Sequence, residues 1–166
     1  MKKVALIFGT RPEAVKMAPV YLALKNSSLR PVVIATAQHR EMLDQVLSLF
    51  GIKPDFDLNI MQQRQSLSDL TSRLIEKLDE IYSQNKFDAT LVQGDTTSTF
   101  AGALVSFYHK IPVGYVEAGL RTANVYDPFP EEVNRRLNGV ISTYHYPPTE
   151  KSKLNLLKEG VPEENM

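Results

Sequence analysis

Apolar and polar positions along this chain fall into blocks whose period changes from one block to the next. Residues 4–8, Val-Ala-Leu-Ile-Phe, form a continuous apolar run, which predicts a buried strand. The polar turn Gly9-Thr10-Arg11-Pro12-Glu13 leads into a helical pattern with Ala14, Val15, Ala18, Tyr21, Leu22 and Leu24 on or near its apolar face. Residues 31–37 repeat the strand signal, and Gln38-His39-Arg40-Glu41 opens a helix through Met42, Leu43, Val46, Leu47 and Phe50 that Gly51 stops. Residues 55–60 alternate loosely, as a short strand would, and 61–65 read as a polar loop. Residues 66–84 form the longest periodic segment, with Leu67, Leu70, Leu74, Ile75, Leu78 and Ile81 on one face, a core-packing helix.

The central pattern carries the most information. Residues 89–93 and 111–116 are short runs rich in β-branched and aromatic side chains, and each gives way to an acid, Asp95 or Glu117. Between them, residues 96–108 combine small residues with an apolar face (Phe100, Ala103, Leu104, Phe107), as expected of the crossover helix of a βαβ unit. The two strands are then parallel, and both acids reach the crevice beyond their carboxyl ends, where open α/β sheets bind ligands. An irregular stretch follows to Pro130, long enough to be functional or mobile. Pro130-Glu131-Glu132 then starts a helix through Val133, Leu137 and Val140. Residues 144–146 suit a last short strand, and 151–159 a final helix with Gly160 beyond its end. The alternation predicts an α/β fold, a doubly wound sheet of about six parallel strands, with right-handed crossovers. A length of 166 residues suits one compact domain.

Composition narrows the chemistry. The 19 basic and 19 acidic residues balance, so no bulk field recruits nucleic acid or an anionic membrane. The absence of cysteine removes disulfides and thiolate chemistry, and the apolar run after Met1-Lys2-Lys3 is too short for a signal sequence or a membrane span. A soluble, cytoplasmic protein is the expectation. Gly9 belongs to no G-x-G-x-x-G, no G-x-x-x-x-G-K-[ST] occurs, and His39, His109 and His145 lack metal-ligand spacing, so no cofactor and no metal are expected. What remains is an anion site and several acids. Arg11, Lys16 and Arg121 lie beside strand ends or helix starts and suit a diphosphate or the polar groups of a sugar. Asp95, Glu117 and Glu131 suit general acid and base roles in a shared crevice. Structural alternatives stand beside each: Thr10 and Glu13 have capping-box spacing, Asp95 suits a helix N-cap, and Glu131 suits the helix dipole. Glu117 has no such alternative without a partner, for which Arg121 is the candidate.

These segments together closely resemble the non-hydrolysing UDP-N-acetylglucosamine 2-epimerases. The motifs that carry the resemblance are Phe8-Gly9-Thr10-Arg11-Pro12-Glu13-Ala14 with Lys16-Met17-Ala18-Pro19, Thr36-Ala37-Gln38-His39-Arg40-Glu41-Met42-Leu43-Asp44-Gln45, Gly94-Asp95-Thr96-Thr97, Val116-Glu117-Ala118-Gly119-Leu120-Arg121-Thr122, and Pro130-Glu131-Glu132 with Asn134-Arg135. The resemblance implies that residues 1–166 are a single Rossmann-like amino-terminal domain, one half of a two-domain GT-B-type architecture whose carboxy-terminal domain is missing. It implies interconversion of UDP-N-acetylglucosamine and UDP-N-acetylmannosamine, by loss and re-addition of UDP through a 2-acetamidoglucal. Asp95, Glu117 and Glu131 are then the acids of the reaction, with Arg11 and Lys16 near substrate. A second, regulatory UDP-N-acetylglucosamine is implied at Gln38, His39, Glu41, Arg64, Gln65 and Glu131. Alone, the chain is expected to be inactive and to self-associate. The alternatives are a sugar-nucleotide binding or regulatory domain without catalysis and the donor half of a glycosyltransferase.

Overall fold

A computed structural model describes residues 1–36, 40–62 and 64–166, apart from the side chain of Arg40. The elements in chain order are β1 (Lys2–Phe8), α1 (Arg11–Lys25), β2 (Leu29–Ala35), α2 (Arg40–Leu49), β3 (Phe56–Asp57), α3 (Leu67–Gln84), β4 (Ala89–Gln93), α4 (Thr97–Tyr108), β5 (Val113–Val116), α5 (Glu131–Ile141), β6 (Tyr144–Tyr146) and α6 (Glu150–Lys158). The sheet has six parallel strands in the order β3-β2-β1-β4-β5-β6. Chain order therefore reverses between β1 and β4, and the crevice at this switch point is where a doubly wound sheet takes its ligand.

Both faces of the sheet are covered. Along β1, Val4, Leu6 and Phe8 join the cluster under α1 and α2, whereas Ala5 and Ile7 join the cluster under α3 and α4. That split is the two-residue alternation of a strand. Leu70, Leu74, Leu78 and Ile81 line the buried side of α3, as its periodicity predicts. Among the described residues no helix is long and apolar enough to cross a membrane.

Several burial expectations are corrected. Helix α4 buries the expected Ala103 together with Ala101, Gly102, Val105 and Ser106, while Phe107 is 59% exposed. The reason is close approach: a Cβ on Gly102 would lie 2.8 Å from Ile7 Cδ1, so small residues must face the sheet. In α1 the buried positions are Glu13, Met17 and the expected Ala14 and Ala18, whereas Val15 and Leu22 face out. In α5 the buried face is polar, built from Glu132, Asn134 and Asn138, and Val140 is exposed. The strand expected over 55–60 is reduced to β3 because Asn59 turns to φ +43°, although Leu58 and Ile60 still donate backbone hydrogen bonds to Ala35 and Thr36.

Candidate functional site

Three turns open on the crevice, after β1, β4 and β5. The first is held from within. Glu13 is buried, and its Oε2 accepts hydrogen bonds from the backbone N–H of Gly9 (2.9 Å) and Thr10 (2.7 Å) and from the Thr10 hydroxyl (2.9 Å). Its Oε1 accepts from the hydroxyls of Thr96 (2.7 Å) and Thr99 (3.0 Å) at the start of α4. The capping box expected at Thr10 and Glu13 is therefore present, and the same carboxylate also ties α1 to α4.

The second turn carries Asp95. Its carboxylate Oδ2 accepts from Arg135 Nη2 at 2.6 Å and Nε at 2.9 Å, and its carbonyl accepts from Asn134 Nδ2 at 2.8 Å. Burial pulls the Arg135 guanidinium down, but the hydrogen bonds and charges of Asp95 and Glu132 together outweigh it and raise the group above its ordinary value. Asp95 is not the helix cap. Thr96 takes that place by accepting from Thr99 N–H, which leaves the Asp95 carboxylate directed at α5.

Glu117 follows β5 with φ +67°, a left-handed conformation that costs a non-glycine residue about 1–2 kcal/mol. Both of its carboxylate oxygens accept from Lys16 Nζ at 2.6 Å, and Gln93 Nε2 donates to Oε2. The expected Glu117–Arg121 pair does not form. The Arg121 guanidinium instead meets Glu159 through two hydrogen bonds of 2.7 Å and the Leu120 carbonyl through a third. Glu159 is held below the usual carboxylate range by the Arg121 hydrogen bond.

Glu131 and Glu132, adjacent in sequence, have opposite surroundings. Glu131 is partly exposed, its carboxylate makes no hydrogen bond or ion pair among the described residues, and it lines a cleft of about 440 Å³ with Asp95, Thr96, Thr97, Gln65 and Ser66. Glu132 is fully buried and accepts from Arg136 Nε (2.9 Å), Thr122 N–H (3.1 Å) and Arg135 Nη1 (3.4 Å). Of the residues expected at a regulatory site, Gln65 and Glu131 meet in this cleft. Arg64 is exposed with φ +58°, and Glu41 is exposed in the first turn of α2. Gln38 and His39 lie outside the described residues. Arg11 is exposed at the start of α1.

Glu13, Gln93, Glu132 and Arg135 hold the acids in place, and sequence pattern assigns none of them that role. Glu13 was visible as a cap, but its bonds to Thr96 and Thr99 span more than eighty positions and leave no periodic trace. Gln93 closes an apolar run and reads there as a strand end.

Behind the site, His145 of β6 is buried, and its Nε2 lies 3.0 Å from the Gly139 carbonyl. Burial holds the imidazole below its ordinary value; the Gly139 hydrogen bond opposes this and the Arg121 charge adds to it. The unfolded chain then binds the proton more readily, so this contribution to stability is complete above about pH 6.5 and declines as pH falls below it. Urea denaturation across pH 5–8 should show that decline, and His145→Gln should flatten it.

The family model described as UDP-N-acetylglucosamine 2-epimerase matches residues 22–166. The chain belongs to the UDP-N-acetylglucosamine 2-epimerase family. Within it, the chain is 58% identical over 165 residues to the UDP-N-acetylglucosamine 2-epimerase of Neisseria meningitidis, covering 99% of this chain and 44% of that protein. It is 59% identical over 159 residues to the Bacillus subtilis enzyme of the same description, covering 95% of this chain and 42% of that one. The chain thus spans less than half the length of these epimerases. Among solved structures, the S. aureus MnaA–UDP co-structure superposes with a TM-score of 0.96 at 54% identity, covering 99% of this chain and 44% of that one. The Neisseria meningitidis UDP-GlcNAc 2-epimerase bound to UDP-GlcNAc gives 0.94 at 58%, covering 98% and 44%. Acinetobacter baumannii MurG, at 14% identity and a TM-score of 0.71, shares the fold alone.

Proposed function

We propose that this chain is the amino-terminal, Rossmann-like part of a GT-B-type epimerase that interconverts UDP-N-acetylglucosamine and UDP-N-acetylmannosamine. What supports the reading is that Asp95 and Glu131 line one cleft while Glu117 follows β5, the parallel neighbour of β4, at the same edge of the sheet, in a chain of this family. One carboxylate takes the proton from C2 of the sugar as the C1–O bond breaks and UDP leaves, giving a 2-acetamidoglucal. A carboxyl then returns a proton to the opposite face of C2 as UDP re-adds at C1, so no net redox change occurs. Lys16 and Arg11 offset the charge of the departing diphosphate. Arg121, engaged by Glu159, contributes by fixing the turn after β5. A second UDP-N-acetylglucosamine acts as a regulator at the Gln65–Glu131 cleft. The working enzyme is a cytoplasmic homo-oligomer that supplies activated N-acetylmannosamine for cell-surface polysaccharide.

Residues 1–166 are one domain of this enzyme and lack activity alone. The test is proton NMR of UDP-N-acetylglucosamine in deuterated water, with the chain by itself and joined to the remaining length of the Neisseria meningitidis relative. Silence from the chain and C2 exchange with appearance of the manno epimer from the joined protein are expected. Turnover by the chain alone would overturn the claim of inactivity, and no exchange from the joined protein would overturn the catalytic reading.

A further inference from the structure

The first strand-to-helix turn of a doubly wound sheet ordinarily offers its free N–H groups to a ligand phosphate, at the positive end of the helix dipole. In this chain the Gly9 and Thr10 donors of that turn are already used. Gly9 N–H and Thr10 N–H both end on Glu13 Oε2, and the hydroxyls of Thr96 and Thr99 approach Oε1 from the far side of the switch point. Glu13 is only 3% exposed, and no cation among the described residues pairs with it. A carboxylate so placed is held by hydrogen-bond donors and the α1 dipole alone, which is how a bound anion is held.

A second observation concerns space. A dinucleotide-binding turn needs glycine so that a pyrophosphate can approach the backbone. The corresponding face of Gly9 is filled: a Cβ there would lie 1.9 Å from Thr36 Oγ1, and Thr36 is itself fixed by a 2.8 Å hydrogen bond to Ser98. The glycine is spent on packing β1 against the ends of β2 and α4.

We propose that Glu13 is a resident anion, a positioning residue whose carboxylate permanently occupies the phosphate seat of the first turn and sets the spacing between α1 and α4. Resting on the sugar-nucleotide reading above, it follows that the diphosphate is excluded from this seat and meets α1 only through the outward-facing cations Arg11 and Lys16. Lys16, on the helix whose start Glu13 fixes, bonds Glu117, and Thr96, which Glu13 also holds, directly follows Asp95, so the α1–α4 contact bears on the placement of both acids.

The test uses the 166-residue chain with backbone amide NMR. In the wild type, inorganic pyrophosphate should leave the Gly9 and Thr10 amide resonances unmoved. In Glu13→Ala, formate should shift both amides and raise the melting temperature with concentration, while leaving the wild-type melting temperature unchanged. Should Glu13→Ala not fold, Glu13→Gln decides. Its amide oxygen can still accept from Gly9 and Thr10, and its NH2 can donate to the threonine hydroxyls. It should therefore fold, protect those two amides from exchange and still exclude pyrophosphate. Pyrophosphate shifts at Gly9 and Thr10 in the wild type, a folded Glu13→Ala blind to formate, or unprotected amides in Glu13→Gln would each overturn the proposal. None of these readouts involves epimerisation, so a failure of the epimerase reading would be seen separately.

Discussion

Replacing Glu117 by glutamine is expected to lower turnover of the joined protein by roughly two to four orders of magnitude, the range for loss of a positioned acid or base. The position has little slack. Its backbone is held at φ +67°, and its carboxylate is pinned by Lys16 from α1 and Gln93 from the end of β4. The amide keeps the size of the side chain but removes the charge that Lys16 meets, so sugar-nucleotide affinity should change far less than rate. Single-turnover C2 exchange beside a binding titration separates the two quantities. Equal losses in both would mean that Glu117 only shapes the crevice, and the catalytic assignment would have to move to Asp95 or Glu131.

Glu132→Ala should cost about 3 kcal/mol of unfolding free energy, whereas Glu131→Ala should stay within about 0.5 kcal/mol of the wild type. The two neighbours differ because Glu132 is fully buried against Arg135, Arg136 and the Thr122 N–H, and removing it strands those donors. The figure lies at the low end for a broken buried pair because the Arg136 side chain is 46% exposed and water replaces part of what it loses. Urea denaturation of both variants is the measurement. Similar losses at the two positions would show that burial at the start of α5 does not decide their roles.

Much of this was legible in the sequence, and the reasons for success and failure are physical. Strands buried on both faces announce themselves as apolar runs, so β1, β4 and β5 were readable, and a parallel sheet followed from the helices between them. The placement of Asp95 and Glu117 at one edge of the sheet needed only the polarity of two strands. Their partners could not be read the same way. Arg121 lies four residues from Glu117 and invites a pairing, yet Lys16, about a hundred positions away, makes it, because the parallel sheet brings the first turns of α1 and the residue after β5 to the same edge, within reach of a lysine side chain. The apolar faces expected of α1 and α4 hold at Ala14, Ala18 and Ala103 and fail at Val15, Leu22 and Phe107, and periodicity is blind where helix and sheet come close or where polar atoms bond internally. Gly102 against Ile7 and the Glu132 network are such cases, and hydrophobic periodicity registers neither.

The left-handed backbone at Glu117 bears on how this position drifts. Glycine would relieve about 1 kcal/mol there, so selection for thermal robustness alone would move the codon away from an acid. A long carboxylate kept at such a point is a standing debt against stability, and variant libraries ranked by melting temperature would discard it early. Stability and the inferred chemistry pull this one residue in opposite directions.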